Sequence, residues 1–225
     1  MLYKKISSQL REEIAQSIPG QVFKTERELM SEFKVSRVTV RKALKALVDD
    51  GSLSVKQGAG YIISEKLAQP LSKITSFSDD CQQKGMVPGT LSLDISEKLV
   101  SADIALGLGL SITDRAVCIN RIRTADGFVV CLETSWVPRH LISPQWLGDS
   151  LFAEFESLGY SPQRAVQRLK PVHPPEHIAE ALEISMHEPI MFVKRITYAQ
   201  KNTPVEYVES YFRADRWEFV SETHN

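Results

Sequence analysis

Apolar residues at Ile6, Leu10 and Ile14 in the segment Tyr3–Ser17, and at Ile18 just after it, recur at every fourth position, which puts them on one stripe of an amphipathic helix ended by Pro19-Gly20. Thr25-Glu26-Arg27-Glu28-Leu29 has the spacing of a capping box, in which Thr25 accepts from the backbone three residues on and Glu28 reaches back, so a short second helix runs to Phe33. Ser36 is placed to cap a third helix, with Val35 and Val40 at staple spacing and Gly51 as its stop. On that helix Val40, Leu44, Leu47 and Val48 share one face, while Val38, Arg41, Lys42 and Lys45 share the other. Two β-prone runs, Leu53-Ser54-Val55 and Tyr61-Ile62-Ile63, flank Gln57-Gly58-Ala59-Gly60 and predict a hairpin. Three helices and a hairpin in about sixty residues have the layout of a winged helix-turn-helix.

From Ser64 to Lys73 the periodicity lapses around Pro70, which reads as a linker over 65–73 between a first domain at 1–64 and a second at 74–225. Beyond it the pattern predicts a helix at Phe77–Lys84, an extended run at Thr90–Ile95 and a helix at Ala102–Leu108. Strands Ala116–Arg123 and Phe128–Trp136 follow, around the hairpin signal Asp126-Gly127. Then come a helix near Leu151–Leu158, a strand at Arg164–Pro171, and a helix opened by Pro174-Pro175 and running to Leu182. Strands Ile190–Tyr198 and Pro204–Phe212 pair around Lys201-Asn202. Strand pairs interrupted by helices predict an α+β domain with a mainly antiparallel sheet.

Composition sharpens this picture in one respect. The net charge of −1 over 225 residues hides a first domain with 11 Lys and Arg against 7 Asp and Glu, and a remainder with 16 against 21. A basic head on an acidic body suits DNA, because cationic side chains displace counterions from phosphates. No stretch approaches the ~18 apolar residues of a membrane span and the N-terminus has no signal-like apolar core, so a cytoplasmic location is expected. Cys81, Cys118 and Cys131 form no C-x-x-C pair and read as buried thiols. His173 and His177 have a metal-like interval, but Pro174-Pro175 interrupts the helix that would align them, and Gly58-Ala59-Gly60 lacks the rest of a nucleotide fingerprint. Neither a metal nor a cofactor is expected.

A recognition helix enters the major groove by its N-terminal residues, here Ser36-Arg37-Val38-Thr39-Val40-Arg41. Arg37 can grip a guanine or a phosphate, Thr39 can touch a thymine methyl or a phosphate, and Arg41 and Lys42 add backbone charge. Together with Thr25-Glu26-Arg27-Glu28-Leu29, the run Val35–Leu44 and Gln57-Gly58-Ala59-Gly60 resemble the DNA-binding head of GntR-family regulators. Lys24 stands where that family often has proline, and Ala59 where its wing often has a basic residue. The resemblance implies contacts to double-stranded operator DNA from Arg27, Ser36, Arg37, Val38, Thr39, Arg41, Lys42, Gln57 and Gly58, by a homodimer on an inverted repeat.

The remainder resembles the UTRA effector domain of the HutC subfamily, through Arg121–Gly127, Leu132–Pro138, Pro204-Val205-Glu206-Tyr207 and Tyr211–Arg216. That resemblance implies a chorismate-lyase-like fold without lyase activity, sensing a small anion such as a phosphorylated sugar, and a repressor released from its operator. Arg121 and Arg123, two apart on a strand, leave the same face, and paired guanidinium groups on a partly buried face repel unless an anion lies between them. Glu133 falls on that face only in one register. A two-residue loop at Asp126-Gly127 pairs Arg123 with Val130 and puts Glu133 opposite, whereas a three-residue loop that includes Ala125 pairs Arg121 with Cys131 and brings Glu133 across. The shared site implied by the resemblance selects the three-residue loop. Gly89 and Thr90 match small or hydroxyl positions beside the anion, Glu206 matches a carboxylate at the ligand's far end, and Arg164 is placed by its strand, where a surface role is equally open. No catalytic residue is assigned. The competing reading is an enzyme with a chorismate-lyase-like body on a DNA-binding head, for which Glu133 and Glu206 are the only carboxylate pair to hand.

Overall fold

The computed structural model describes residues 2–49, 51–56, 58–64 and 67–221, and its first helices are α1 (Leu2–Ala15), α2 (Glu26–Phe33) and α3 (Arg37–Asp49). Both arms of the predicted capping box form, with the Glu28 N–H donating to Thr25 Oγ1 at 3.3 Å and the Thr25 N–H donating to Glu28 Oε2 at 2.7 Å. Lys34, in the left-handed conformation at φ 51°, ends α2 and turns the chain into α3. The Ser36 hydroxyl accepts from the Thr39 N–H, which starts α3, and Gly51 at φ 72° follows its end. Strands β1 (Leu53–Lys56) and β2 (Gly60–Ile63) form the antiparallel hairpin, with Leu53 opposite Ile63. Ile6, Leu10, Leu29, Val40, Leu44 and Leu47 are all but sealed from solvent in one core, which Leu53 and Ile63 extend to the hairpin.

The chain divides between residues 66 and 67 into two compact units. The linker read at 65–73 is corrected in part. Glu65 and Lys66 lie outside the described residues, but β3 (Leu67–Pro70) is a strand, paired in parallel with β10 (Trp217–Val220). Its partner sits at the far end of the chain, so no local pattern announces it, and a four-residue strand is too short to show its own alternation.

The second unit continues with α4 (Phe77–Gln83), β4 (Pro88–Leu99), α5 (Ala102–Leu108), β5 (Arg115–Ala125), β6 (Phe128–Pro138), α6 (Leu151–Ser157), β7 (Arg164–Val172), α7 (Glu176–Leu182), β8 (Ile190–Tyr198), a 3-10 turn (Gln200–Asn202) and β9 (Pro204–Arg213). Strands β4 to β9 make one antiparallel sheet in the order β4-β5-β6-β9-β8-β7. Helices α5 and α7 pack on one face, where Ile104 and Leu108 meet Tyr207, and Ile178 and Leu182 meet Ile190. On the other face Phe152 and Phe155 of α6 meet Val117 and Ile119, and Phe77 of α4 joins a cluster with Cys131, Phe212 and Trp217. All three cysteines are free and buried.

The β5–β6 hairpin departs from the expected loop. Asp126 (φ 50°) and Gly127 (φ 83°) form a two-residue turn, with Ala125 opposite Phe128. Asp126 fits this left-handed pair because its side chain and its N–H both bond to Val87, Oδ1 accepting from the Val87 N–H at 2.8 Å and the Asp126 N–H donating to the Val87 carbonyl at 2.9 Å. The register then shifts by one residue past Arg123, leaving Val130 extra and pairing Arg123 with Cys131 and Arg121 with Glu133. A bulge therefore does what the longer loop was expected to do, since one inserted residue flips every later side chain to the other face.

Candidate functional site

In the first unit α3 presents Arg37, Val38, Arg41 and Lys42 to solvent, while Thr39 is half-buried and its hydroxyl lies 3.0 Å from Ser36 Oγ. Glu26 at the start of α2 accepts from Arg37 Nε at 2.7 Å and from Arg41 Nε at 2.8 Å. These two hydrogen bonds hold the Glu26 carboxyl below its usual range and fan the guanidinium groups outward from one anchor. Val38 is 64% exposed, an apolar tip between two cations that suits a thymine methyl. Arg27 is exposed on α2. Gly58 (φ 83°) sits at the hairpin tip with open space where a Cβ would be, so backbone can approach a groove there, and Gln57 lies outside the described residues.

In the second unit Arg121 and Arg123 on β5, Glu133 on β6 and Glu206 on β9 are all buried on one face of the sheet, 6%, 2%, 6% and 1% exposed. Arg123 is held by a ring of acceptors: Nη1 donates to Thr90 Oγ1 at 2.7 Å and to the Asp149 carbonyl at 3.2 Å, and Nη2 donates to Ser78 Oγ at 3.2 Å. Its guanidinium lies 4.7 Å from the Phe77 ring centre. Burial pushes the Arg123 pKa down, against the pull of Glu133.

The repulsion expected between the two arginines is met partly from within. Glu133 Oε2 lies 3.2 Å from Arg121 Nη2 and 4.0 Å from Arg123 Nε. Yet among the described residues the Nε of each arginine, and Glu133 Oε2 itself, are buried with no hydrogen-bond partner, so the ion pairs leave hydrogen-bonding capacity unused on both sides. Glu206 is better supplied, accepting from Ser135 Oγ at 2.9 Å, Thr197 Oγ1 at 3.1 Å and Arg195 Nη2 at 3.2 Å. Between these groups lies a cleft, lined also by Ser76, Ser78, Asp149, Ser150 and Phe152.

Thr90, Arg121, Arg123, Glu133 and Glu206 thus converge, and two expected residues do not. Gly89 pairs with Thr124 on β5, and a Cβ there would come within 2.5 Å of Thr124 Oγ1. Its small size answers to packing on the face opposite Thr90. Arg164 is exposed at the start of β7 with its guanidinium 4.6 Å from the Tyr198 ring centre, and alternation puts it on the opposite face from Gln167 and the cleft.

Sequence reasoning missed Ser78, Ser150 and Arg195. Arg195, a charge inside the apolar run Ile190–Tyr198, carried a signal that went unused, because a charge on a strand's inner face needs a reason. Ser78 and Ser150 carried none, since they reach the cleft only through the packing of α4 and of the loop before α6.

A basic, exposed helix in a winged fold and a buried cleft of arginines and carboxylates in a separate unit define a DNA-binding regulator with a ligand-binding domain. Comparison with known proteins agrees. Residues 2–63 match the model of bacterial regulatory proteins of the gntR family, and residues 83–218 match the UTRA domain. The chain belongs to the GntR family of transcription regulators and carries a UTRA effector-binding domain. It is 32% identical to the HTH-type transcriptional repressor NagR of Bacillus subtilis (strain 168), across 97% of this chain and 93% of that one. It is 31% identical to the mannosyl-D-glycerate transport/metabolism system repressor MngR of Escherichia coli (strain K12), across 97% and 94%. The crystal structure of PhnF from Mycobacterium smegmatis superposes with a TM-score of 0.68 at 26% identity, covering 97% of this chain and 98% of that one. No helix among the described residues is long and apolar enough to cross a membrane.

Proposed function

We propose that this regulator is a cytoplasmic repressor that binds an inverted-repeat operator as a homodimer and is released by a small anionic metabolite of the phosphorylated-sugar class. The observation that carries the ligand reading is the pair of buried guanidinium groups, Arg121 and Arg123, sharing one carboxylate and keeping unpartnered Nε donors at the cleft. Guanidinium forks match phosphate or carboxylate geometry, so an anion seated beside Thr90, Ser78 and Arg123 completes their hydrogen bonding. Glu133 and Glu206 then face the uncharged part of the ligand, where carboxylates accept from hydroxyl groups. Two relatives are named for sugar-derivative systems, mannosyl-D-glycerate and fructoselysine, which supports a sugar-related ligand.

On DNA, the head at residues 1–64 contacts the operator through Arg27, Ser36, Arg37, Val38, Thr39, Arg41, Lys42, Gln57 and Gly58. Two copies are needed because one such head makes few base contacts and two-fold proteins read two-fold sites. Arg37→Ala is expected to weaken operator binding by about 1–3 kcal/mol and relax specificity at one base pair, while Arg41→Ala weakens all DNA alike and lowers the salt slope by about one. Gel-shift titrations at two salt concentrations separate these outcomes, and unchanged binding in both variants sinks the assignment of α3.

The mechanism is tested by linkage. A ligand shifts an equilibrium only by its differential affinity for the two states, so effector and operator must weaken each other's binding by one common factor. Calorimetric titration of phosphate esters into free and operator-bound protein measures it. Equal effector affinity in the two forms would rule out release by effector, and tighter binding to the DNA complex would make the ligand a corepressor.

A further inference from the structure

A second lobe adjoins the arginine cleft, sharing Phe77, Glu133 and Arg195 with it. Its remaining polar lining includes Asp80 of α4, Gln69 of β3, Gln167 of β7 and Ser210 of β9. Asp80 is 2% exposed, and among the described residues neither of its carboxylate oxygens has a hydrogen-bond partner. The Thr75 hydroxyl is near enough to favour the carboxylate but not in bonding geometry. Trp217 Nε1, in the same lobe, is also buried without a hydrogen-bond partner among the described residues. Leaving a carboxylate buried and unpaired is costly, and such groups are few in native proteins unless a ligand or a functional role accounts for them.

The charges of the joined cleft set a second constraint. Arg121, Arg123 and Arg195 face Glu133, Glu206 and Asp80, and the exposed Asp149 adds a fourth carboxylate to the lining. An anion bound at the arginines therefore leaves the cleft with excess negative charge unless the ligand brings a positive group of its own. Asp80 has two free acceptor oxygens, and a protonated amine is a cation with donors and no acceptor.

We infer that Asp80 forms an amine subsite, so that the effector is bifunctional, with an anion at Arg121 and Arg123 and an ammonium group at Asp80. This rests on the anion-binding reading above and adds the chemistry of the ligand's other end. Desolvation, which pushes the Asp80 carboxyl up to about 6 against the pull of Arg195, is a cost that an ammonium partner would offset.

The test compares ω-aminoalkyl phosphates with ω-hydroxyalkyl phosphates of matched and increasing chain length, by calorimetry on the full chain. At the length that spans the two subsites the amine is expected to bind about tenfold or more tightly than the alcohol, the range of one charge-assisted hydrogen bond. In Asp80→Asn the two are expected to bind alike. Alkylammonium ions without phosphate, at high concentration, are expected to raise the Tm of the wild-type protein and not of D80N.

A ligand-free measurement guards the premise. A carboxyl whose folded pKa is raised contributes no penalty below its unfolded pKa, one that grows as pH rises from the unfolded to the folded pKa, and the full penalty above the latter. D80N is therefore expected to melt higher than wild type at pH 7.5 and no higher near pH 4. Equal affinity for amine and alcohol at every length, an amine preference that survives in D80N, or an unchanged Tm at pH 7.5 each overturns the amine subsite. Protection by alkylammonium ions with no binding of any phosphate ester instead overturns the anion reading and keeps Asp80 in place.

Discussion

Arg123→Ala is expected to yield a repressor that still occupies its operator and no longer responds to its effector. Arg123 is 2% exposed and joins β4, α4 and the loop before α6 through Thr90, Ser78 and the Asp149 carbonyl. Its loss removes one guanidinium fork from the proposed anion site, and charged hydrogen bonds contribute about 1.5–3 kcal/mol, or roughly 10- to 150-fold in affinity. Glu133 keeps Arg121 as its partner at 3.2 Å, so the variant does not strand that carboxylate. Arg123→Lys separates charge from geometry. A lysine restores the cation but not the planar fork, and an intermediate affinity is expected. Calorimetry with phosphate esters, beside gel shifts with and without ligand, reads both properties. Full effector affinity in the alanine variant would remove the arginine pair from the site.

Leu44→Ala is expected to unfold the DNA-binding unit while sparing ligand binding. Leu44 is completely buried on α3, among Leu10, Leu29, Val40 and Leu47. Large-to-small changes at such sites cost about 2–5 kcal/mol, because the cavity closes only in part. A unit of this size has a total stability of roughly 3–10 kcal/mol at 0.05–0.15 kcal/mol per residue. The change therefore removes a large share of it. In calorimetric scanning the transition that loses operator binding should move down sharply, while the ligand-induced shift of the second unit persists. A variant that loses both functions together would show that the two units do not fold independently.

Several parts of the molecule were legible because their signals are local. The capping box at Thr25 and Glu28, the Ser36 cap and the fourfold apolar spacing of α1 act through neighbours in sequence, so the winged head could be drawn from residue types alone. The face shared by Arg121 and Arg123 follows equally from strand alternation. Where prediction failed, the deciding contact was distant. Strand β3 forms against β10 at the other end of the chain, and the two-residue turn at Asp126 is held by Val87 on an adjacent segment.

The sequence by itself determined a basic winged head, an α+β body with paired antiparallel strands, and the presence of arginines and carboxylates on its inner faces, since periodicity, capping and turn chemistry are properties of short windows. Only the tertiary structure decided that Val130 bulges and so turns Glu133 toward Arg121, that Gly89 answers to Thr124, and that Arg164 leaves the cleft. It alone brought Ser78, Arg195 and Asp80 to the same cavity walls, by packing α4 against a sheet whose strands are far apart in the chain. The physical reason is the same in each case. A side chain's face is set by strand register, and one inserted residue or one long-range pairing changes that register without altering the local pattern of apolar and polar residues.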